Sequence, residues 1–237
     1  MKVYPIFLQI EGKPCLVVGG GAVGERKVQD LLAAGARVMV VSREATPLLQ
    51  RQAAEGLITL SRQDFRPEQL EGMVLAIAAT DDQATNEAVS LAAQKRNLPV
   101  NIVDQPALCS FVVPATIRRG ELVLAIGTGG RSPALAKKLR QELETCFGPE
   151  YGPYLELLGL IRDAVLAERR DHPDNQPLFT AIVASPILDC LQQGEQQRLV
   201  SLLAELLLPV LPPAQVQTLQ GQASALCLSL AQLRPAS

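Results

Sequence analysis

Short continuous apolar runs recur through the first part of the chain, at residues 15–18, 37–41, 57–60, 74–78 and 100–103. Between several of them the pattern shifts to helical period, at residues 25–34, 45–54 and 83–96. Strand and helix in alternation predict a parallel sheet with helices on its faces. Runs that are apolar throughout, rather than at every second position, predict strands covered on both sides. Near residue 111 the pattern changes: "SFVVPATIRRGELVLAIGTGG" reads as two strands joined around Arg119-Gly120, a hairpin rather than another βαβ unit. "SPALAKKLRQELETCF" then opens a helix, with Ser132 suited to the N-cap and Pro133 to the first helical position. After Gly148-Pro149 the pattern is helical almost to the end, interrupted by "RRDHPDNQP", by Pro209 and by Pro212-Pro213. No internal repeat and no low-complexity tract occurs. The expected architecture is α/β, a Rossmann-like parallel sheet followed by a small strand–helix segment and a helical C-terminal domain, divided at residues 1–112, 113–147 and 148–237.

The first strand runs into "GGGAVG", in which Gly19, Gly21 and Gly24 match G-x-G-x-x-G between a predicted strand and a predicted helix that ends at Gly35. In that setting the pattern is a dinucleotide fingerprint. Gly19 permits the tight turn, Gly21 lets the backbone approach a pyrophosphate, and Gly24 allows close packing of the helix. The helix N-terminus offers unpaired N–H groups and a positive dipole end to the phosphates. The ribose-reading slot at the end of the second strand falls on Ser42, followed by Arg43 and Glu44. An acid in that slot would accept from the 2′-hydroxyl, whereas a Ser-Arg pair can accommodate a 2′-phosphate. These residues alone therefore leave NAD and NADP both open.

Ligands of such sheets lie beyond the carboxyl ends of the strands. "ATDDQATN" follows the fourth run, so Asp82 is expected to cap a helix while Thr80 and Asp81 stand near the cofactor. "VNIVDQP" puts Asn101 in a strand and Asp104 at its carboxyl end, where a carboxylate can take a proton from a substrate losing hydride. A turn aspartate before Pro106 is the alternative reading of the same residue.

Composition narrows the functional classes. The chain has 237 residues, 48% apolar and 19% charged, a net charge of −2 and no Trp, which argues against a nucleic-acid partner. Five cysteines at wide spacing, without a CxxC, read as reduced thiols in a cytoplasmic protein. The opening residues lack the features of a signal peptide, and "VSLLAELLLPVL" is broken by Glu205 and Pro209 and too short to span a bilayer. His172 lies in a polar loop, and one histidine with scattered cysteines makes no resident metal site.

"YPIFLQIEGKPCLVVGGGAVGERKVQDLLAAGARVMVV", "LAIAATDDQATN", "VNIVDQP…CSFVVPA" and "GTGGRSPALAKKLRQELE" occur in that order. Together, over roughly residues 1–150, they resemble the precorrin-2 dehydrogenase / sirohydrochlorin ferrochelatase module of siroheme synthases. The resemblance implies NAD-dependent oxidation of precorrin-2 to sirohydrochlorin, in some members followed by insertion of ferrous iron. It implies an intertwined homodimer, a tetrapyrrole substrate, Asp104 as the key active-site residue with transient contact to Fe²⁺, and cofactor contacts at Ala22, Val23, Arg43 and Glu44. Thr128 stands where some relatives carry a serine open to phosphorylation, so that regulation is not carried over. The sequence contains no methyltransferase region, so the fused enzyme's further activity is not expected of it.

A substrate with eight carboxylates calls for a locally basic cleft. Arg118, Arg119, Arg131, Lys137, Lys138 and Arg140 are the cationic candidates; a solvated helix face is the simpler account of the two lysines, and Arg131 beside the glycine turn is preferred. Asn101, Ser110, Phe111, Thr128, Gly129 and Arg131 complete the candidate substrate contacts. The competing reading is a regulatory module that binds NAD without catalysis, since fold does not fix function. Asp104 together with the SFVVPA and GTGGRSP segments argues for the enzyme.

Overall fold

Five strands form one parallel sheet: β1 (Pro14–Val18), β2 (Arg37–Val41), β3 (Ile58–Ser61), β4 (Leu75–Ala78) and β5 (Val100–Ile102), in the order β3-β2-β1-β4-β5. The molecule is described by a computed structural model, which covers residues 2–233, without the side chain of Leu233. β1 pairs Cys15 with Val38 on one side and with Leu75 on the other. The strand order reverses at β1/β4, which is where a doubly wound sheet opens its ligand crevice.

Helices α1 (Ala22–Leu32), α2 (Pro47–Ala54) and α3 (Gln83–Gln94) connect the strands, while a short 3₁₀ turn at Pro67–Leu70 lies between β3 and β4. Each strand residue faces one of two layers, because successive side chains point to opposite faces. Cys15, Val17, Val38 and Val40 pack with Val28, Leu31 and Leu49 on one side. Leu16, Val18, Val41 and Ala76 pack with Val89, Ala92 and Ala93 on the other. This double coverage is why the strands carry unbroken apolar sequence. Burial pushes the Cys15 thiol up to about 11, because the apolar layer disfavours the thiolate.

The chain divides into two units, one running through Val113 and the other beginning at Pro114. The second opens with a two-stranded antiparallel hairpin, β6 (Ala115–Arg119) and β7 (Leu122–Ile126), turning at Gly120. α4 (Pro133–Cys146) follows, with Ser132 as N-cap accepting from the Leu135 N–H at 3.1 Å. α4 buries none of its residues, and of the hairpin only Ile117 is buried.

Among the described residues five further helices follow in this unit: α5 (Tyr151–Arg169), α6 (Asn175–Ala184), α7 (Ile187–Gln193), α8 (Gln196–Leu207) and α9 (Pro213–Leu233). Leu157, Ile161, Leu191, Leu199, Leu203 and Leu207 are among their fully buried core residues. Two of the interruptions escape the sequence reading. α6 ends at Ser185-Pro186, and α7 ends at Gly194, whose φ of 75° is the left-handed C-cap that glycine favours. Apolar residues flank Ser185-Pro186 closely on both sides, whereas Gly194 sits in the polar run of residues 192–198. Among the described residues no helix is long and apolar enough to cross a membrane.

Candidate active site

The carboxyl ends of β1 to β4 enclose a cleft of about 860 Å³, a size suited to a cofactor. Its floor is the glycine turn. Gly19 has φ of 112°, and a Cβ there would lie 2.3 Å from the Ala79 carbonyl oxygen. A Cβ on Gly20 would stand 2.2 Å from the Glu44 oxygen, and one on Gly24 would strike the Gly19 oxygen. Three glycines are therefore needed so that the turn, the loop after β2, the end of β4 and the first turn of α1 can touch. Gly21 differs: a Cβ there meets nothing within 4 Å, so its surroundings are open. It is the N-cap of α1, in extended backbone with φ of −76°. The first N–H groups of a helix lack intrahelical partners, and here they belong to Ala22, Val23 and Gly24, which directly follow the cleft-lining Gly21. Closely packed glycines under an open glycine fit a dinucleotide pyrophosphate seated on the helix end.

One wall is built by the loop after β2, with Ser42, Arg43, Glu44, Ala45 and Thr46, and by Gln63, Asp64 and Phe65 after β3. The Ser42 N–H donates to the Ser61 carbonyl at 3.1 Å, which joins the two strand ends. Arg43 Nη2 lies 2.5 Å from Asp64 Oδ2, and both side chains are mostly exposed. The opposite wall carries Thr80, Asp81, Asp82 and Thr85. Asp82 caps α3 as expected, accepting from the Ala84 and Thr85 N–H groups at 3.2 and 3.1 Å and from the Thr85 hydroxyl at 2.5 Å. These donors hold its carboxyl below the ordinary carboxylate value, the Thr85 side chain first among them. The buried Asn86 donates to the Thr80 carbonyl at 3.0 Å and fixes the loop from behind.

Asp104 stands two residues past β5, in a turn closed by the Gln105 N–H on the Ile102 carbonyl at 3.2 Å. Its φ is 59°, a left-handed conformation that aspartate tolerates better than most residues. The side chain is exposed at the carboxyl edge of the sheet, one strand beyond the enclosed part of the cleft, and is not one of the lining residues. Asn101 and Ser110 spend their polar atoms within this region: Asn101 Nδ2 donates to the Phe111 carbonyl at 3.0 Å, and Ser110 Oγ accepts from the Val100 N–H at 2.8 Å. Phe111 packs, partly buried, against one of the sheet layers.

The remaining candidates belong to the second unit. Gly129 and Gly130 have φ of 61° and 77° before α4, and the Thr128 hydroxyl bonds the Ser132 backbone across that turn. Arg119 is committed to the end of α4, donating to the Phe147 carbonyl at 2.8 Å. Arg140 pairs with Glu144, and Lys138 lies 3.6 Å from Glu142. Arg118, Arg131 and Lys137 are exposed. His172 Nδ1 accepts from the Asp174 N–H at 3.2 Å in a surface turn. Among the described residues no group of three or more His, Cys, Asp or Glu is placed to hold a metal ion.

Sequence reasoning missed Gly20 and, in the loop after β3, Gln63, Asp64 and Phe65. The strand-end rule that found Ser42, Thr80 and Asp104 also applies to β3, and would have found Asp64.

Comparison with known proteins agrees with this geometry. Residues 6–115 match a family model described as NAD(P)-binding, and residues 119–145 match one described as sirohaem biosynthesis protein central. The siroheme synthase of Methylobacillus flagellatus is 48% identical over 165 residues, 70% of this chain and 35% of that protein. That of Nitrosomonas eutropha is 38% identical over 211 residues, 87% of this chain and 44% of that protein. The chain is thus similar to siroheme synthases over most of its own length. It spans about two fifths of the length of these relatives. A solved structure described as SirC, precorrin-2 dehydrogenase, superposes with a TM-score of 0.69 at 23% identity, over 94% of this chain and all of that one, and so shares the fold.

Proposed function

We propose that this chain is a member of the siroheme synthase family and acts as an NAD-dependent precorrin-2 dehydrogenase that forms sirohydrochlorin. The observation that carries the reading is the coincidence of a dinucleotide-shaped glycine cleft with two family matches that fall in register along one chain. Oxidation of the reduced macrocycle removes a hydride and a proton. Bound NAD⁺ supplies the hydride acceptor. The chain's own residues do the rest. The Ala22 and Val23 amides hold the pyrophosphate, and the loops after β2 and β3 enclose the adenosine end. Thr80 and Asp81 border the path toward β5, and Asp104 receives or positions the proton released as hydride departs. Arg119, Lys138 and Arg140 already have partners, and of the remaining exposed cations Arg131, beside the Gly129-Gly130 turn, is the candidate for a substrate carboxylate.

Segment 113–147 acts as the dimerisation segment. α4 and the hairpin leave Leu122, Val123, Leu124 and Leu139 only partly covered and Leu135 47% exposed, which a second copy would bury. All five cysteines are free thiols, which suits a reducing cytoplasm.

Purified protein given precorrin-2 and NAD⁺ should produce NADH and sirohydrochlorin, and Asp104→Ala should lower turnover at least about a hundredfold, the usual scale of a general base. Binding of NAD⁺ without any turnover would favour the regulatory reading. Full turnover by Asp104→Ala would remove that residue from the mechanism. Adding Fe²⁺ after the first reaction tests chelation, read as siroheme formed faster than in a protein-free blank.

A further inference from the structure

The wall after β3 bears on the choice that Ser42 leaves open. Among the described residues lining the cleft, Arg43 is the one cation, against Glu44, Asp64, Asp81 and Asp82. Arg43 is also the residue that would have to meet a 2′-phosphate, since it follows the ribose slot. Its guanidinium is already held by Asp64 at 2.5 Å, across 21 positions of sequence. We propose that Asp64 is a specificity-determining residue that selects NAD over NADP, by engaging Arg43 and by adding a carboxylate beside the position a 2′-phosphate would occupy. The inference rests on the dinucleotide reading above. It moves the usual acid of the ribose slot from the tip of β2 to the tip of β3, where the parallel pairing of Val41 with Ser61 brings the two loops side by side.

The mechanism is one of exclusion. A 2′-phosphate adds two negative charges to a wall that already carries more acids than bases, and its only cationic partner would first have to leave Asp64. A ribose with a free 2′-hydroxyl brings no charge and leaves the pair intact. The pair itself is exposed, with side chains at 77% and 66%, so it adds little to folding. Its effect is expected on ligand choice.

The test is calorimetric titration of the whole chain with NAD⁺ and with NADP⁺, for the wild type, Asp64→Asn, Glu44→Gln and Asp64→Asn combined with Arg43→Ala. The wild type should prefer NAD⁺. Asp64→Asn should melt with the wild type and bind NADP⁺ about tenfold tighter, the worth of one charge-assisted contact released, with NAD⁺ affinity within about twofold. Removing Arg43 as well should abolish the gain, and the gain should shrink at high salt. An unchanged NAD⁺/NADP⁺ ratio in Asp64→Asn, a shift produced by Glu44→Gln alone, or a wild type that prefers NADP⁺ overturns the assignment while the cofactor site stands. Failure of the wild type to bind either dinucleotide overturns the functional reading itself.

Discussion

The glycines of the turn separate into two kinds, and substituting one of each tests the site directly. Gly19→Ala puts a methyl 2.3 Å from the Ala79 carbonyl oxygen and 3.3 Å from Thr80 Cγ2, on backbone with φ of 112°. The conformational penalty for an L-residue there is about 1–2 kcal/mol, and forcing an atom into a packed site costs about 1–3 kcal/mol. The total, about 2–5 kcal/mol, is a large part of the roughly 5–15 kcal/mol that holds a domain folded. At about 4 °C per kcal/mol, the thermal midpoint should fall by about 8 °C or more. Gly21→Ala meets nothing within 4 Å at a negative φ, so its cost is the weaker N-cap, about 0.5–1 kcal/mol and a few degrees. Its methyl instead projects where the pyrophosphate would meet the α1 amides, and NAD⁺ affinity should fall at least about tenfold, the loss of one charge-assisted contact. Thermal melts and calorimetric titration of both variants give the four numbers required. A Gly21→Ala protein that binds NAD⁺ like the wild type would place the phosphates elsewhere. A Gly19→Ala protein that melts like the wild type would refute the close approach of the β1 and β4 ends.

Three further outcomes follow from single residues. Cys15 has its pKa raised from 9.0 to about 11, so the neutral thiol that folding favours is fully matched below pH 9, and the advantage is lost as pH rises toward 11. That loss amounts to about 3 kcal/mol, and a urea midpoint falling over pH 9–11 in the wild type should fall less in Cys15→Ala. Ser132→Ala removes the side-chain cap of α4 and should cost about 1 kcal/mol, measurable by urea titration, with Ser132→Asp restoring it. Cys146 is exposed whereas Cys15, Cys190 and Cys227 are buried, so a thiol reagent should modify Cys146 rapidly and the other three only on unfolding.

Much of the fold can be read from local chemistry. The sheet follows from runs such as "CLVV" and "RVMVV", because both faces are covered and no polar alternation is needed. The Ser132-Pro133 helix entry is equally local. What cannot be read this way depends on chain segments far apart. Arg43 looks like a free cation until β3 brings Asp64 beside it, and the Ser185-Pro186 break is hidden between closely flanking apolar residues. Gly20 hides behind the G-x-G-x-x-G rule, which assigns no role to the middle residue of "GGG". Here the loop after β2 presses its Glu44 carbonyl onto that position.

The segment after β5 shows why residue type alone misplaces a role. Asn101, Cys109 and Ser110 are polar, lie near Asp104 and suit a ligand. Each is instead bonded within its own loop: Asn101 to the Phe111 carbonyl, Cys109 Sγ to the Ile102 N–H at 3.1 Å, and Ser110 to the Val100 N–H. From outside the loop, Ser90 adds a bond to the Leu108 carbonyl at 2.7 Å. Exposed loops are ordinarily mobile, and a carboxylate on a mobile loop would make a poor proton acceptor for a bound macrocycle. Ties from these four side chains to residues 100–111 remove that freedom, and the left-handed φ of 59° then sets where the Asp104 side chain leaves the backbone. On the proposed function, these side chains are positioning groups for Asp104. Among the described residues Arg131, exposed at the second unit's glycine turn, has no comparable side-chain tie, which on the proposed function leaves it free to meet a substrate carboxylate.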